Sequence, residues 1–229
     1  MAGIQRADVI FGMRESGIVP IFYHKDPEIC RNVINACFKG GLKFFEFTNR
    51  GDYAHEVFSE INKWAAKEVP SIIMGAGSVV DSATASLYIQ LGADFVVSPI
   101  LNKEMAKVCN RRKVLWIPGC ATMSEINYAE ELGADIIKIF PGSCVGGPEF
   151  VKSIKGPCPW TSIMATGGVE PTQENIKAWF DSGVACVGIG SNLMTKELIL
   201  KKDWEGLTNR VAEAVKIVKM FTSLSRSTK

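Results

Sequence analysis

Histidine is nearly absent from this chain: only His24 and His55 occur in 229 residues. Neither stands at ligand spacing from a carboxylate cluster, so no metal site is expected. The seven cysteines (Cys30, Cys37, Cys109, Cys120, Cys144, Cys158 and Cys186) are odd in number and form no C-x-x-C pair. That argues against a disulfide framework and for the reduced thiols of a cytoplasmic protein. An excess of one charge is missing too. Twenty-six basic residues against 24 acidic ones leave a net charge of +2, which makes no case for nucleic acid or membrane as partner. No run approaches the ~20 consecutive apolar residues of a membrane span. Met1–Asp8 shows no apolar signal core behind a basic segment. No Pro-rich or low-complexity linker divides the chain, so one domain over residues 1–229 is expected, with Ser223–Lys229 a short frayed tail.

What is present is a loose repeat. Gly40-Gly41-Leu42-Lys43-Phe44-Phe45, Leu91-Gly92-Ala93-Asp94-Phe95-Val96, Leu132-Gly133-Ala134-Asp135-Ile136-Ile137 and Ser182-Gly183-Val184-Ala185-Cys186-Val187 share one logic. A glycine ends a helix in a left-handed conformation, a short turn follows, and an apolar strand begins. Eight apolar runs are expected as strands: Ile18–Phe22, Phe44–Thr48, Ile72–Met74, Phe95–Val97, Leu115–Ile117, Ile136–Ile139, Ser162–Ala165 and Ala185–Ile189. Amphipathic segments such as Asp52–Lys67, Asp81–Gln90, Ser124–Leu132 and Thr172–Asp181 lie between them. Continuously apolar strands alternating with helices indicate a parallel sheet covered on both faces. Eight such units imply an α/β fold, a (β/α)8 TIM barrel. The rival, an open nucleotide-binding sheet, lacks its third fingerprint glycine, because Val80 stands there; no cofactor is expected. Residues 1–17, with Ile4, Val9, Ile10 and Met13 at helical spacing, are expected to form an extra helix closing the barrel bottom. The five tryptophans look like packing residues, with Trp116 a candidate to point inward.

Barrel chemistry sits at the C-terminal ends of strands. Two charges stand in otherwise apolar strands there: Lys138 in Ile136-Ile137-Lys138-Ile139, and Glu46 in Phe44-Phe45-Glu46-Phe47. Burial of both is costly unless they pair. Two readings stay open: a structural ion pair, or a neutral amine that attacks a carbonyl beside a carboxylate that moves protons. Arg50, just past the second strand, suits a carboxylate held through two bonds. Ser78 ends Gly75-Ala76-Gly77-Ser78, whose glycines let backbone approach a ligand, and Thr122 reaches the same rim. Gly167 and Gly168 after strand seven, and Gly190 with Ser191 after strand eight, offer backbone N–H groups to a phosphate. His24 is expected to be a loop histidine.

In order along the chain, Gly17-Ile18-Val19-Pro20-Ile21, Phe45-Glu46-Phe47-Thr48-Asn49-Arg50, Gly75-Ala76-Gly77-Ser78-Val79, Gly92-Ala93-Asp94 through Ser98-Pro99, Ile117-Pro118-Gly119, Ile137-Lys138-Ile139-Phe140-Pro141 and Ala165-Thr166-Gly167-Gly168-Val169 jointly resemble one family. It is the 2-keto-3-deoxy-6-phosphogluconate (KDPG) and 4-hydroxy-2-oxoglutarate (KHG) aldolases, and the resemblance runs from about Gly17 to Met194. It implies a class I aldolase in a homotrimeric barrel acting on a small 2-keto acid. Lys138 matches the Schiff-base lysine and Glu46 the general acid/base. Arg50 and Ser78 match the carboxylate holders, with Ser78 in place of a more usual threonine. Pro99 and Phe140, in matching segments, are expected at the substrate. Gly167, Gly168, Gly190 and Ser191 match the phosphate site. Gly142-Ser143-Cys144 and Ile100-Leu101-Asn102 depart from the family pattern beside the mouth, so the choice between KDPG and 4-hydroxy-2-oxoglutarate stays open. From architecture alone, a phosphate-binding isomerase or decarboxylase and a non-catalytic sugar-acid-binding barrel remain rivals.

Overall fold

The computed structural model describes residues 4–224; most of the expected C-terminal tail lies outside them. All strand pairings are parallel, in the order β5-β4-β3-β2-β1-β9-β8-β7-β6. The strands are β1 (Ile18–Phe22), β2 (Phe44–Thr48), β3 (Ile73–Gly77), β4 (Phe95–Val97), β5 (Leu115–Ile117), β6 (Gly119–Cys120), β7 (Ile137–Ile139), β8 (Ile163–Thr166) and β9 (Cys186–Ile189). The fifth expected strand, Leu115–Ile117, is β5; Pro118, which has no N–H for a ladder, ends it, and a two-residue strand that was not expected, β6, follows. β5 pairs with β4 and β6 with β7. The two ends of the sheet are thus consecutive pieces of one chain segment, and the barrel closes there. The backbone N–H of Lys138 donates to the Pro118 carbonyl at 2.9 Å across this seam.

Helices α1 (Arg6–Ser16), α2 (Pro27–Lys39), α3 (Ala54–Glu68), α4 (Ser82–Gln90), α5 (Lys103–Arg112), α6 (Met123–Glu131), α7 (Gly147–Lys155), α8 (Gln173–Asp181), α9 (Lys196–Leu200) and α10 (Trp204–Leu224) complete the fold. The repeat glycines behave as expected: Gly41, Gly92, Gly133 and Gly183 have φ of 100°, 96°, 83° and 96°. Only glycine adopts that region cheaply, so each turns the chain from helix into strand.

Alternation along the strands separates two cores. Phe45, Phe47, Val96, Ile137, Ile139 and Val187 pack against the helices. Val19, Phe44, Phe95, Val97, Leu115, Ile117, Ile136, Met164 and Cys186 fill the barrel, and Val9 and Met13 of α1 plug its bottom. Trp116 belongs to the helix-facing core, because its neighbours Leu115 and Ile117 take the interior; the inward placement is corrected. Trp160 is also no packing residue, being 70% exposed.

Candidate active site

The strand period of two sets the site. Phe44, Glu46 and Thr48 all face inward from β2, and the first packs against Phe95 in the bottom layer with ring centroids 6.3 Å apart. Glu46 therefore sits one layer higher and Thr48 at the rim. Lys138 enters the same layer from β7, its neighbours Ile137 and Ile139 facing the helices. Lys138 Nζ lies 3.8 Å from Glu46 Oε1, with side chains 6% and 1% exposed. The amine also stands 4.9 Å from the Phe140 ring centroid, over its face.

That pair is poorly made for structure alone. At 3.8 Å it exceeds hydrogen-bond distance, and Glu46 Oε2 is buried without a partner. A buried unpaired carboxylate oxygen is costly and demands an explanation. Burial pushes the Glu46 carboxyl above the ordinary glutamate range, and the cations of Lys138 and Arg50 pull it back only in part. The carboxyl can thus hold or release a proton beside the amine.

Room for it comes from β3. A Cβ on Gly77 would lie 2.0 Å from Glu46 Oε1, and one on Gly75 would lie 2.2 Å from the Phe95 ring. Both glycines are inside the strand. They make space for side chains of the interior, which corrects the expectation of a ligand-approaching loop. Ser78 follows in a left-handed conformation, φ 56°, a sterically disfavoured region for serine. The Arg50 Nε–H donates to its hydroxyl at 3.3 Å, so guanidinium and hydroxyl stand together at the rim.

Above the pair, a cleft of about 240 Å³ is lined by Thr48, Arg50, Phe140, Gly167, Gly168, Gly190 and Ser191, with Thr166, Asn192 and others. Gly167 and Gly168 have φ of 95° and 77°. The structure thus gathers Arg50, Phe140 and both glycine turns on one cavity. Thr48, Thr166 and Asn192 were not singled out in the sequence. The first two carry a readable signal, since each stands two residues beyond an inward-facing position of its strand. Asn192 has none.

Of the expected residues, Lys138, Glu46, Ser78, Pro99 and Thr122 are not among those that line the cleft. Ser78 is tied to the cavity only through Arg50. Pro99 is half-buried, its backbone against Gly119, where a Cβ would approach the Pro99 carbonyl carbon to 2.4 Å. Thr122 caps α6: its hydroxyl accepts from the Glu125 N–H at 3.2 Å and donates to the Glu125 carboxylate at 3.0 Å. That hydroxyl is committed to a capping box. His24 is a loop histidine, Nδ1 accepting from the Asp26 N–H. Among the described residues, no group of three His, Cys, Asp or Glu could hold a metal ion.

Residues 9–210 match the family model described as Aldolase: KDPG and KHG aldolase. The chain belongs to the KDPG and KHG aldolase family. A 2-dehydro-3-deoxy-phosphogluconate aldolase of Pseudoalteromonas atlantica is 31% identical, covering 86% of this chain and 89% of its own. A KHG/KDPG aldolase of Escherichia coli is 30% identical over 89% of this chain and 92% of its own. Solved structures agree. The KDPG aldolase of Legionella pneumophila, with pyruvate captured at low pH as a covalent carbinolamine intermediate, superposes with a TM-score of 0.82. Its sequence identity is 26%, covering 92% of this chain and 98% of that one. The enzyme of Zymomonas mobilis with 3-phosphoglycerate gives 0.81 at 28% identity, covering 92% and 96%. The protein is therefore a barrel aldolase of class I, a lyase.

Proposed function

We propose that Lys138 is the Schiff-base lysine of this aldolase and Glu46 its proton carrier, acting on a 2-keto-3-deoxy acid. One observation carries the assignment. Lys138 and Glu46 are a buried amine and carboxyl, close but not bonded, beneath a cleft bearing Arg50. Glu46 takes a proton from the Lys138 ammonium, the freed amine attacks the C2 carbonyl, and one proton passes from the new C–N nitrogen to the oxygen to give a carbinolamine. Glu46 delivers the proton with which that oxygen leaves as water, giving a protonated imine. A base removes the C4 hydroxyl proton, the C3–C4 bond breaks, and its electron pair moves into the imine. Aldehyde leaves, the enamine is protonated at C3, and hydrolysis releases pyruvate and the free lysine.

Arg50, beside Ser78, suits the substrate carboxylate. Phe140 walls the imine. The turns Gly167-Gly168 and Gly190-Ser191 suit a phosphate at the far end, as the 3-phosphoglycerate bound by the Zymomonas enzyme also suggests. KDPG is accordingly favoured over 4-hydroxy-2-oxoglutarate as substrate. The test is kcat/KM for 2-keto-3-deoxygluconate with and without its 6-phosphate, read as pyruvate release. A preference of at least ~100-fold, about 2.7 kcal/mol of transition-state binding, supports the site. Equal values would leave the glycines as turn residues only. A homotrimer in the cytoplasm is the assembly and place this reading takes from family membership.

A further inference from the structure

The two glycine turns that would receive a phosphate belong to different loops, and neither contains a lysine or arginine. A shared anion needs them at a fixed separation. The structure links them through Asn192, whose Nδ2 donates to the Val169 carbonyl at 2.9 Å and so joins the turn after β9 to the turn after β8. Arg210 of α10 holds Asn192 in turn, its Nη2 donating to the Asn192 carbonyl at 2.8 Å. On the other side, Asn175 closes the β8 turn. Its Nδ2 donates to the Gly168 carbonyl at 3.3 Å and its Oδ1 accepts from the Glu170 N–H at 2.9 Å. Val169 and Asn192 line the cleft together with the glycines and Arg50.

Neither Asn192 bond belongs to the barrel ladder. The first joins two turns that line the cleft, and the second ties one of them to α10 behind it. The Asn192 amide is used on Val169, so it braces the turns. Arg210 adds a second effect. A guanidinium on a backbone carbonyl polarises the peptide and sets positive charge behind a turn that has no cation of its own. Lys138 and Glu46 lie on β7 and β2, outside this brace.

We infer that Asn192 and Arg210 are positioning residues for the phosphate end of the substrate, locking the two glycine turns into one anion site and supplying its background charge. This rests on the phosphate-ended reading above, and it adds a requirement for residues that need not touch the phosphate. Arg210→Met keeps the apolar stem and removes donor and charge. It should raise KM for the 6-phosphorylated 2-keto-3-deoxygluconate about 10-fold, the scale of one charge-assisted hydrogen bond, with kcat nearly unchanged. It should leave kcat/KM for the unphosphorylated acid unaltered and weaken competitive inhibition by inorganic phosphate in parallel. Arg210→Lys should restore part of the phosphate response through charge.

Equal losses on both substrates would make the pair a brace of the fold and overturn the inference. So would an unchanged KM for the phosphorylated acid with native phosphate inhibition. If Arg210→Met does not fold, the inhibition constant of inorganic phosphate in Arg210→Lys decides by the same criterion. A wild type indifferent to the 6-phosphate would sink the phosphate reading first and this inference with it. The wild-type arm therefore separates the two failures.

Discussion

Glu46 stands in the barrel interior above Phe44, where a barrel built for stability alone would place another apolar side chain. Glu46→Gln tests that cost and its return together. Turnover should fall by about two to four orders of magnitude, the reach of general acid/base catalysis, with the far-UV spectrum retained. The raised carboxyl makes two predictions with definite signs. Activity that needs the carboxylate should be lost on acidification at a pH above glutamate's ordinary 4.5, and the residual activity of the Gln variant should lack that limb. For folding, the native state holds the Glu46 proton more tightly than the unfolded chain. This contribution therefore lowers wild-type stability as pH rises from about 4.5 through the raised native value, relative to Glu46→Gln. Denaturant midpoints of both proteins across that window measure the difference; a constant offset would contradict the burial argument. The burial and proximity of Lys138 and Glu46 were legible in the sequence, because a lone charge in an apolar strand needs a partner. Thr122 carries a second signal that was also legible, since a threonine three residues before a glutamate at a helix start is a capping box.

Between strand and helix, the reading depended on what the local sequence contains. Repeat glycines, strand runs and the α1 plug are written in short windows, and they were readable. The role of Gly75 and Gly77 is not, because it lies in a neighbouring strand: the β2–β3 register sets Glu46 opposite Gly75 and Thr48 opposite Gly77. Pro118 likewise gives no hint that the barrel closes through it. Gly77→Ala should therefore disable catalysis by displacing the Glu46 carboxyl, with an overpacking cost of about 1–3 kcal/mol. Wild-type turnover from a folded Gly77→Ala would show that the carboxyl has slack. At the bottom, Met13 is fully buried in the interior core. Met13→Ala should cost about 2–5 kcal/mol in denaturant unfolding while kcat per folded molecule holds. A loss within ~0.5 kcal/mol would mean that α1 does not plug the barrel.

For the molecule as a whole, composition excluded more than it assigned. All seven cysteines are free, and burial pushes the thiols of Cys30, Cys37, Cys109, Cys120 and Cys186 up to about 12. A thiol reagent should label the exposed Cys144 first in the native protein, and those five only after unfolding. Early labelling of a buried thiol would contradict the packing described. The proposed trimer predicts a light-scattering mass near three times 25.0 kDa. The central claim is that Lys138 forms the imine. Incubation with pyruvate and borohydride, followed by peptide mass spectrometry, tests it most directly. The account predicts irreversible inactivation with one reduced pyruvyl adduct on Lys138. An adduct on another lysine, or none while activity is lost only to chelators, would contradict it.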